Sequence, residues 1–409
     1  MEHLPDKLDS NSLILEGKYL HMRCAAHILN LIVKDGMDIM EKSIEQVHDS
    51  VAYWSATPKR HEKFEKMART LNIEYKKRLL LDCKTRWNST YIMLSIALEY
   101  VDIFEKLNGR EKLYSCCPTK EDWNIAKELC CRLKVFYDVT EVFSGTKYVT
   151  ANLFFPKICG IQLAIQKWSA SDNKVVQKMS EQMKHKFDKY WKDVHGLMSI
   201  ATVLDPRYKL HMLQALFGSL YGVEYADVKV DEVMKLMANL LEEYREDDEI
   251  LATSEVVGTA VAQVVGADDV VNIFDQYMSS KSMISGSQVR TELDLYLEEQ
   301  TIKRVPHKDM DIISWWKIAG AKYPTLQKIA QDILPIPVTS VASESAFSIS
   351  GRLLSSHRSR LVPSMAEAFM CMQAWSRADM IGNSSSQIAT IHLIHITQQL
   401  FSTECSFIT

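Results

Sequence analysis

Cys24 and His27 lie three residues apart in a segment whose apolar residues repeat at helical spacing. The spacing predicts that both side chains share one helix face. Such a pair is half of a zinc site, but zinc needs about four ligands and no second Cys/His pair follows at zinc-finger spacing. Two other interpretations stay open. The sequence favours a packed cysteine beside a hydrogen-bonded histidine, and the alternative is His27 as a donor to a phosphate.

Arg86 and Trp87 follow a run of leucines and precede a helical pattern that we expect from about Thr90 to Lys106. Residues 78–83 are the best candidate for a buried strand, so Arg86 and Trp87 fall at a predicted strand-to-helix turn. In one interpretation the tryptophan anchors the core. In the other, an exposed indole beside an arginine stacks on an unpaired base.

Acidic residues that could bind metal are sparse. The small-residue segment 336–352 is compatible with a helix and holds one carboxylate, Glu344, so any partners must come from elsewhere in the chain. Asp205 ends an apolar run and precedes Pro206, which biases Asp205 away from helix. A turn or capping role is therefore favoured over metal ligation for Asp205.

The composition narrows the class of protein. The chain has 409 residues, of which 47% are hydrophobic and 24% charged, as in a globular protein of two or three domains. The net charge of -4 means that any contact with nucleic acid must rest on local basic patches. Nine scattered cysteines and an N-terminus without a signal-peptide pattern predict reduced thiols in the cytosol or nucleus. The apolar window 256–274 is interrupted by polar and acidic residues, and we expect no membrane span.

The elements that must position these residues are mostly helical. Helices are predicted to about Gly36, over 37–75 with a break near Thr57 and Pro58, over most of 122–192, and on to about Tyr244. An acidic run opens a predicted linker, 245–288. Further helices are predicted from Asp311 to about Lys322, over 326–334, and over 363–375.

Four stretches, in this order, resemble the plant hAT transposase superfamily, in particular its domesticated BED-finger members of the RICESLEEPER or DAYSLEEPER type. They are Leu20–Leu31, Thr85–Thr90, Val203–Lys209 and the block from Trp315 to Leu361. The resemblance covers most of residues 18–377, and the C-terminal block is its most specific part. It implies an RNase H-like domain interrupted by a large helical insertion, a preceding BED zinc finger and a C-terminal dimerisation region.

The resemblance also implies roles for single residues. Transposases of this family cut DNA with two metal ions held by two aspartates and one glutamate, and Glu344 matches that glutamate. His27 matches a histidine near the scissile phosphate, and Arg86 and Trp87 match a position that supports a flipped base. In the family both aspartates precede the segment that contains Cys24 and His27, and this chain begins just before that segment. We therefore expect Glu344 to be vestigial, the Mg²⁺ site to be incomplete and no cofactor to be bound.

These expectations define one overall prediction. The predicted fold class is predominantly α (α+β). The predicted architecture is a truncated RNase H-like domain with a large helical insertion, followed by a C-terminal hAT dimerisation region. The favoured function is DNA binding and dimerisation without transposase activity, in the nucleus. Two alternatives are an active metal-dependent transposase, with Asp82 and Asp205 as acidic partners, and a gene-model fragment of a longer BED-finger protein.

The predicted partners are a second copy of the chain, as a homodimer or higher homo-oligomer, and weakly bound DNA, with no membrane and no small-molecule substrate. The predicted domains are 1–110 (partial RNase H-like segment), 111–245 (helical insertion and RNase H-fold region), 246–288 (linker), 289–377 (dimerisation region) and 378–409 (tail). The predicted dimerisation residues are Trp315, Trp316, Phe347, Phe369, Met372 and Trp375.

Overall fold

The structure is a computed structural model that divides the chain into two compact units, Met22–Val194 with Pro337–Thr409 and Met1–His21 with His195–Ile336. It describes residues 14–19, 22–191, 196–255, 290–303 and 310–341, and the single positions 365, 368, 371 and 372; for residues 16 and 246–255 it describes the backbone alone. The unit boundary near residue 194 falls inside the segment 111–245 that the sequence analysis treats as one domain.

The first unit contains eight α-helices among its described residues. A 3₁₀ turn, Asp38–Met40, joins the first two. The helices are α1 (Ala25–Met37), α2 (Glu41–Ser55), α3 (Pro58–Thr70), α4 (Trp87–Leu98), α5 (Val101–Asn108), α6 (Lys120–Phe143), α7 (Ala151–Ser169) and α8 (Lys174–Trp191).

Local sequence signals explain several of these helix boundaries. Thr57 caps α3 by accepting a hydrogen bond from the Arg60 amide, and Pro58 takes the first helical position, where its missing N–H costs nothing. A capping box starts α6: the Thr119 hydroxyl accepts from the Asp122 amide, and the Asp122 carboxylate accepts from the Thr119 amide at 3.0 Å. The predicted break at 57–58 and the predicted helical region 122–192 are confirmed.

Helix α1 supplies much of the core of the first unit. Ile28, Leu29, Ile32 and Val33 are buried, and α1 packs against α6 and α8. Gly36, on the same face, lies so close to the Met183 side chain that any Cβ there would overlap it. A side chain at this position would therefore force the Met183 side chain to move.

The second unit contains six α-helices among its described residues, with a 3₁₀ turn at Ile14–Gly17. They are α9 (Leu197–Val203), α10 (Lys209–Tyr221), α11 (Val223–Glu255), α12 (Glu292–Glu298), α13 (Ile312–Ala319) and α14 (Pro324–Ile333). Helix α11 continues to Glu255, into the range that the sequence analysis assigns to a linker.

A buried turn after α9 organises the second unit. The carbonyl groups at the end of a helix have no partner within that helix. Here the Tyr296 hydroxyl donates to the Val203 carbonyl and the Trp316 indole N–H donates to the Leu204 carbonyl, each at 2.9 Å. The Ile302 amide donates to the Pro206 carbonyl at 3.0 Å. Residues from α12 onward thus complete a helix that lies about a hundred positions earlier in the chain.

Lys209 adds a buried charge to this arrangement. Its side chain is 1% exposed, and its ammonium group donates to the main-chain carbonyls of Tyr296 and Glu299, at the end of α12. Burial lowers the pKa of Lys209. The residue also has a positive φ of 46°, an uncommon backbone conformation that the surrounding contacts must hold in place.

The prediction of a predominantly helical chain is confirmed, but the predicted strand at 78–83 is wrong. The described residues contain no strand, and Leu80 and Leu81 are about half exposed. Backbone amides of this segment donate to side chains and not to a neighbouring strand. The Leu79 amide donates to the Tyr75 hydroxyl, and the Cys83 amide donates to the Ser89 hydroxyl. A short apolar run does not by itself distinguish a strand from other structure.

No helix in the described part of the chain is long and apolar enough to cross a bilayer.

Trp316→Phe should destabilise the second unit by about 2 kcal/mol, because the buried Leu204 carbonyl loses its donor and the smaller ring leaves a void. Trp315→Phe is the matched control, because Trp315 is only partly buried and makes no such hydrogen bond. Urea unfolding followed by circular dichroism gives the midpoints. Equal shifts for the two variants would contradict the role given to the Trp316 indole.

Candidate nucleic-acid interface

His27 lies on the solvent side of α1, in a row with other polar side chains. Arg23, His27 and Lys34 are exposed, and Asn30 is partly exposed between them. The row lies opposite the buried residues of α1 and contains no carboxylate. The Arg23 guanidinium carbon stands 5.4 Å from the centroid of the Tyr190 ring of α8. His27 is therefore placed where an imidazole can donate to a phosphate, as one interpretation of the sequence requires.

Cys24 is in contact with the segment 338–340. Its sulfur accepts hydrogen bonds from the Ser340 amide at 3.3 Å and from the Ser340 hydroxyl at 3.1 Å. One residue on, the Ala25 amide donates to the Val338 carbonyl at 2.9 Å. Residues 338–340 thus complete the N-terminus of α1, and the cysteine is an acceptor in that junction.

Sequence reasoning missed the junction between Cys24 and Ser340. The two residues are 316 positions apart, and no periodic pattern or motif in the sequence marks either hydrogen bond. A third contact supports the junction, since the Thr339 hydroxyl donates to the Phe143 carbonyl at the end of α6, at 3.4 Å. A pattern search within short windows cannot detect such a contact.

Arg86 and Trp87 occupy different environments at the start of α4. Arg86 is exposed at the N-cap position, whereas Trp87 is 7% exposed and packs in the first turn. This burial favours the core-anchor interpretation of Trp87 over direct stacking on a base. The loop before Arg86 is held by Ser89, whose hydroxyl donates to the Arg86 carbonyl at 2.6 Å.

The loop that carries Arg86 is fixed to α2 through Asp82. The Asp82 carboxylate lies 2.6 Å from His48 Nδ1 and accepts from the Thr90 hydroxyl at 2.7 Å. Its side chain is only 4% exposed. The contact anchors the segment just before two exposed cations, Lys84 and Arg86. The sequence offered Asp82 as a metal ligand, and the structure shows it as an anchor.

The other carboxylate considered for metal binding is also held by hydrogen bonds within the fold. Asp205 is fully buried, and its two oxygens accept from the Arg207 guanidinium at 2.9 and 2.7 Å. The Arg207 amide also donates to Asp205 Oδ1 at 3.0 Å, so the side chain holds the turn as predicted. Among the described residues no three His, Cys, Asp or Glu side chains are placed to hold one metal ion. Glu344 lies outside the described residues.

The predicted dimerisation residues differ in their accessibility. Trp316 is buried inside its own unit, Trp315 is partly buried and Met372 is 57% exposed. The most exposed large apolar side chain of α13 is Ile318, at 80%, which the sequence analysis did not single out. Phe347, Phe369 and Trp375 lie outside the described residues. Trp316 therefore serves the core of its own chain rather than an open surface.

Comparison with known protein families identifies the class. Residues 22–132 match the ZBED1 RNase-like helical domain, residues 152–244 match the hAT-like transposase RNase-H fold, and residues 292–376 match the hAT family C-terminal dimerisation region. The chain therefore belongs to the hAT transposase family, as its sequence stretches indicated.

Individual relatives agree with this assignment. The chain is 35% identical over 388 residues to a putative AC transposase of Zea mays. The match covers 93% of this chain and 47% of that protein. It is 33% identical over 381 residues to RICESLEEPER 2 of Oryza sativa subsp. japonica, a zinc finger BED domain-containing protein. That match covers 90% of this chain and 52% of the relative. It is 30% identical over 385 residues to DAYSLEEPER of Arabidopsis thaliana, and this match covers 94% of this chain and 53% of the relative. The chain spans about half the length of these relatives.

Replacing Cys24 tests the junction at the start of α1. In Cys24→Ala the Ser340 amide loses the hydrogen bond to the Cys24 sulfur, and we expect its hydrogen exchange to accelerate about fivefold, the effect of losing one modest hydrogen bond. Cys24→Ser keeps an acceptor and should exchange at close to the original rate. Cys131→Ala, at an exposed position of α6, is the control. Unchanged exchange in Cys24→Ala would show that the sulfur contributes nothing there.

Proposed function

We propose that the chain is a transposase-derived protein that binds DNA through its first unit and assembles through its C-terminal dimerisation region, without transposase activity. The observation that carries the DNA part is an exposed basic row: Arg23, just before α1, with His27 and Lys34 on α1. Arg86 adds a further exposed cation in the same unit, on a loop that Asp82 anchors. Nuclear localisation follows as part of the same proposal.

The charge balance sets how strong this binding can be. Phosphate contacts by lysine and arginine supply most of the affinity of non-specific DNA binding, and salt weakens them steeply. The whole chain carries a net charge of -4, so the rest of the molecule repels DNA at long range. Weak and strongly salt-dependent binding is therefore the expected behaviour.

The proposed lack of cleavage is supported by the state of the described carboxylates. Asp82 is bound by His48 and Thr90, and Asp205 by Arg207, so neither side chain is free to hold a divalent cation. A cation that stabilises both the attacking and the leaving oxygen needs several unoccupied carboxylate oxygens in one place.

An active transposase is the second candidate, favoured by the relative that is named a putative transposase. The two candidates differ in one measurement. Mg²⁺-dependent cleavage of a DNA hairpin substrate that Glu344→Gln abolishes would establish the active enzyme. DNA binding with no cleavage at any Mg²⁺ or Mn²⁺ concentration would support the proposed binding protein.

Arg86→Gln combined with Arg23→Gln should weaken binding to a DNA duplex several-fold, because two exposed guanidinium groups no longer contact phosphates. The slope of log affinity against log salt should become shallower by about 0.9 for each lost contact. Fluorescence anisotropy over a salt series measures both quantities. Arg110→Gln with Arg69→Gln removes the same charge at two other exposed positions and should change the slope little. If both pairs behave alike, net charge and not these contacts controls binding.

Ile318→Asp tests the assembly part of the proposal. An aliphatic side chain that is 80% exposed in a dimerisation region is expected to become buried between two copies, and a carboxylate there would have to be desolvated. Light scattering should therefore show a dimer for the original chain and a lower mass for Ile318→Asp. Leu113→Asp, at a position 75% exposed in the first unit, is the matched control. A dimer that survives Ile318→Asp would move the interface away from α13.

A further inference from the structure

Helix α8 presents a second basic row that the sequence analysis and the family matches leave without a role. Lys174, Lys178, His185 and Lys189 are all exposed. At about 100° per residue, these four positions fall within about 60° of one another around the helix. The opposite face is the buried one and consists of Val176, Met179, Ser180, Met183, Phe187 and Trp191.

The basic side chains of this row form no close ion pair within the described part of the chain. Neither the three lysines nor His185 forms an ion pair there, although the Lys189 ammonium lies 5.6 Å from the centroid of the Tyr190 ring. Asp188, on the neighbouring side of α8, is paired with Lys184 at 2.5 Å. Many other exposed lysines are paired, as Lys134 is with Asp138 on α6. The row, with three lysines against the one exposed Glu181, therefore keeps a net positive charge available for a partner.

The row on α8 and the basic row of the proposed DNA contact lie on two helices that pack together in the first unit. Helices α1 and α8 pack together, and the Lys186 ammonium binds the Asp35 carboxylate at 2.9 Å. Near the other end of α1, Arg23 stands over the Tyr190 ring. Two packed helices thus each turn a basic row toward solvent. On α8 the exposed carboxylate of Glu181 lies within that row, between Lys178 and His185.

The chemistry of the row selects its partner. Residues 174 to 189 rise by about 22 Å along the helix axis, the length of about six base pairs of duplex. The row contains no apolar side chain that could enter a lipid layer, and a membrane-binding helix would need one. We propose that the solvent face of α8 contacts the phosphate backbone of duplex DNA. This inference rests on the proposed DNA-binding function and extends the contact surface from α1 to α8.

The test replaces Lys174, Lys178 and Lys189 together by glutamine, which removes three charges and retains helix propensity. The control replaces Lys120, Lys127 and Lys134 by glutamine. These lysines are also exposed and also spaced along one helix of the first unit, α6, where Asp138 neutralises Lys134. Affinity for a fluorescein-labelled DNA duplex is measured over a salt series, and circular dichroism checks that both variants fold.

The expected result is about a tenfold or greater loss of affinity for the α8 variant at low salt, with a salt slope shallower by about 2.7, or 0.9 for each of three contacts. The α6 variant should keep most of the slope. Equal slopes in the two variants would overturn the assignment of α8 while leaving the proposed function intact. Absence of DNA binding by the original chain would overturn both. Loss of binding to anionic lipid vesicles with DNA binding unchanged would assign the row to a membrane surface instead.

Discussion

Backbone groups at helix ends must find partners outside their own helix, and this constraint organises both units. At the N-terminus of α1 the Ala25 amide donates to the Val338 carbonyl, and the Ser340 amide donates to the adjacent Cys24 sulfur. In the second unit, side chains of α12 and α13 satisfy the last carbonyls of α9, and Lys209 satisfies the carbonyls at the end of α12. In each case the partner lies far away in sequence. Segments that are distant in the chain are therefore obligatory parts of the same folded unit.

The constraint also explains which features the sequence could predict. Thr57 with Pro58, and Thr119 with Asp122, are local signals, and the helices they start lie where the pattern placed them. The hydrogen bonds that hold Cys24 and Trp316 depend on partners more than a hundred residues away. No window of sequence contains both members of such a pair. Helix positions were therefore predictable, and the connections between helices were not.

The candidate site shows the same division. Helical periodicity correctly placed His27 on a helix, but it could not tell whether the imidazole faced solvent or the core. Asp82 and Asp205 were considered as metal ligands because carboxylates are the usual ligands for divalent cations. The structure instead gives each carboxylate neighbouring donors that occupy its oxygens. Residue type alone does not reveal whether a carboxylate is already satisfied, because that depends on what the fold brings beside it.

The two tryptophans of α13 show how a family feature and the core of one chain compete for the same residues. A resemblance to a dimerisation region suggests that adjacent indoles face a second copy, yet the Trp316 indole is bound to the Leu204 carbonyl in its own unit. If the Trp316 indole turned away, the Leu204 carbonyl would remain buried without a donor. The intramolecular hydrogen bond is therefore strongly preferred. A surface for a partner must then be built from side chains that the fold does not need internally. On α13 that condition leaves Ile318 and the exposed part of Trp315.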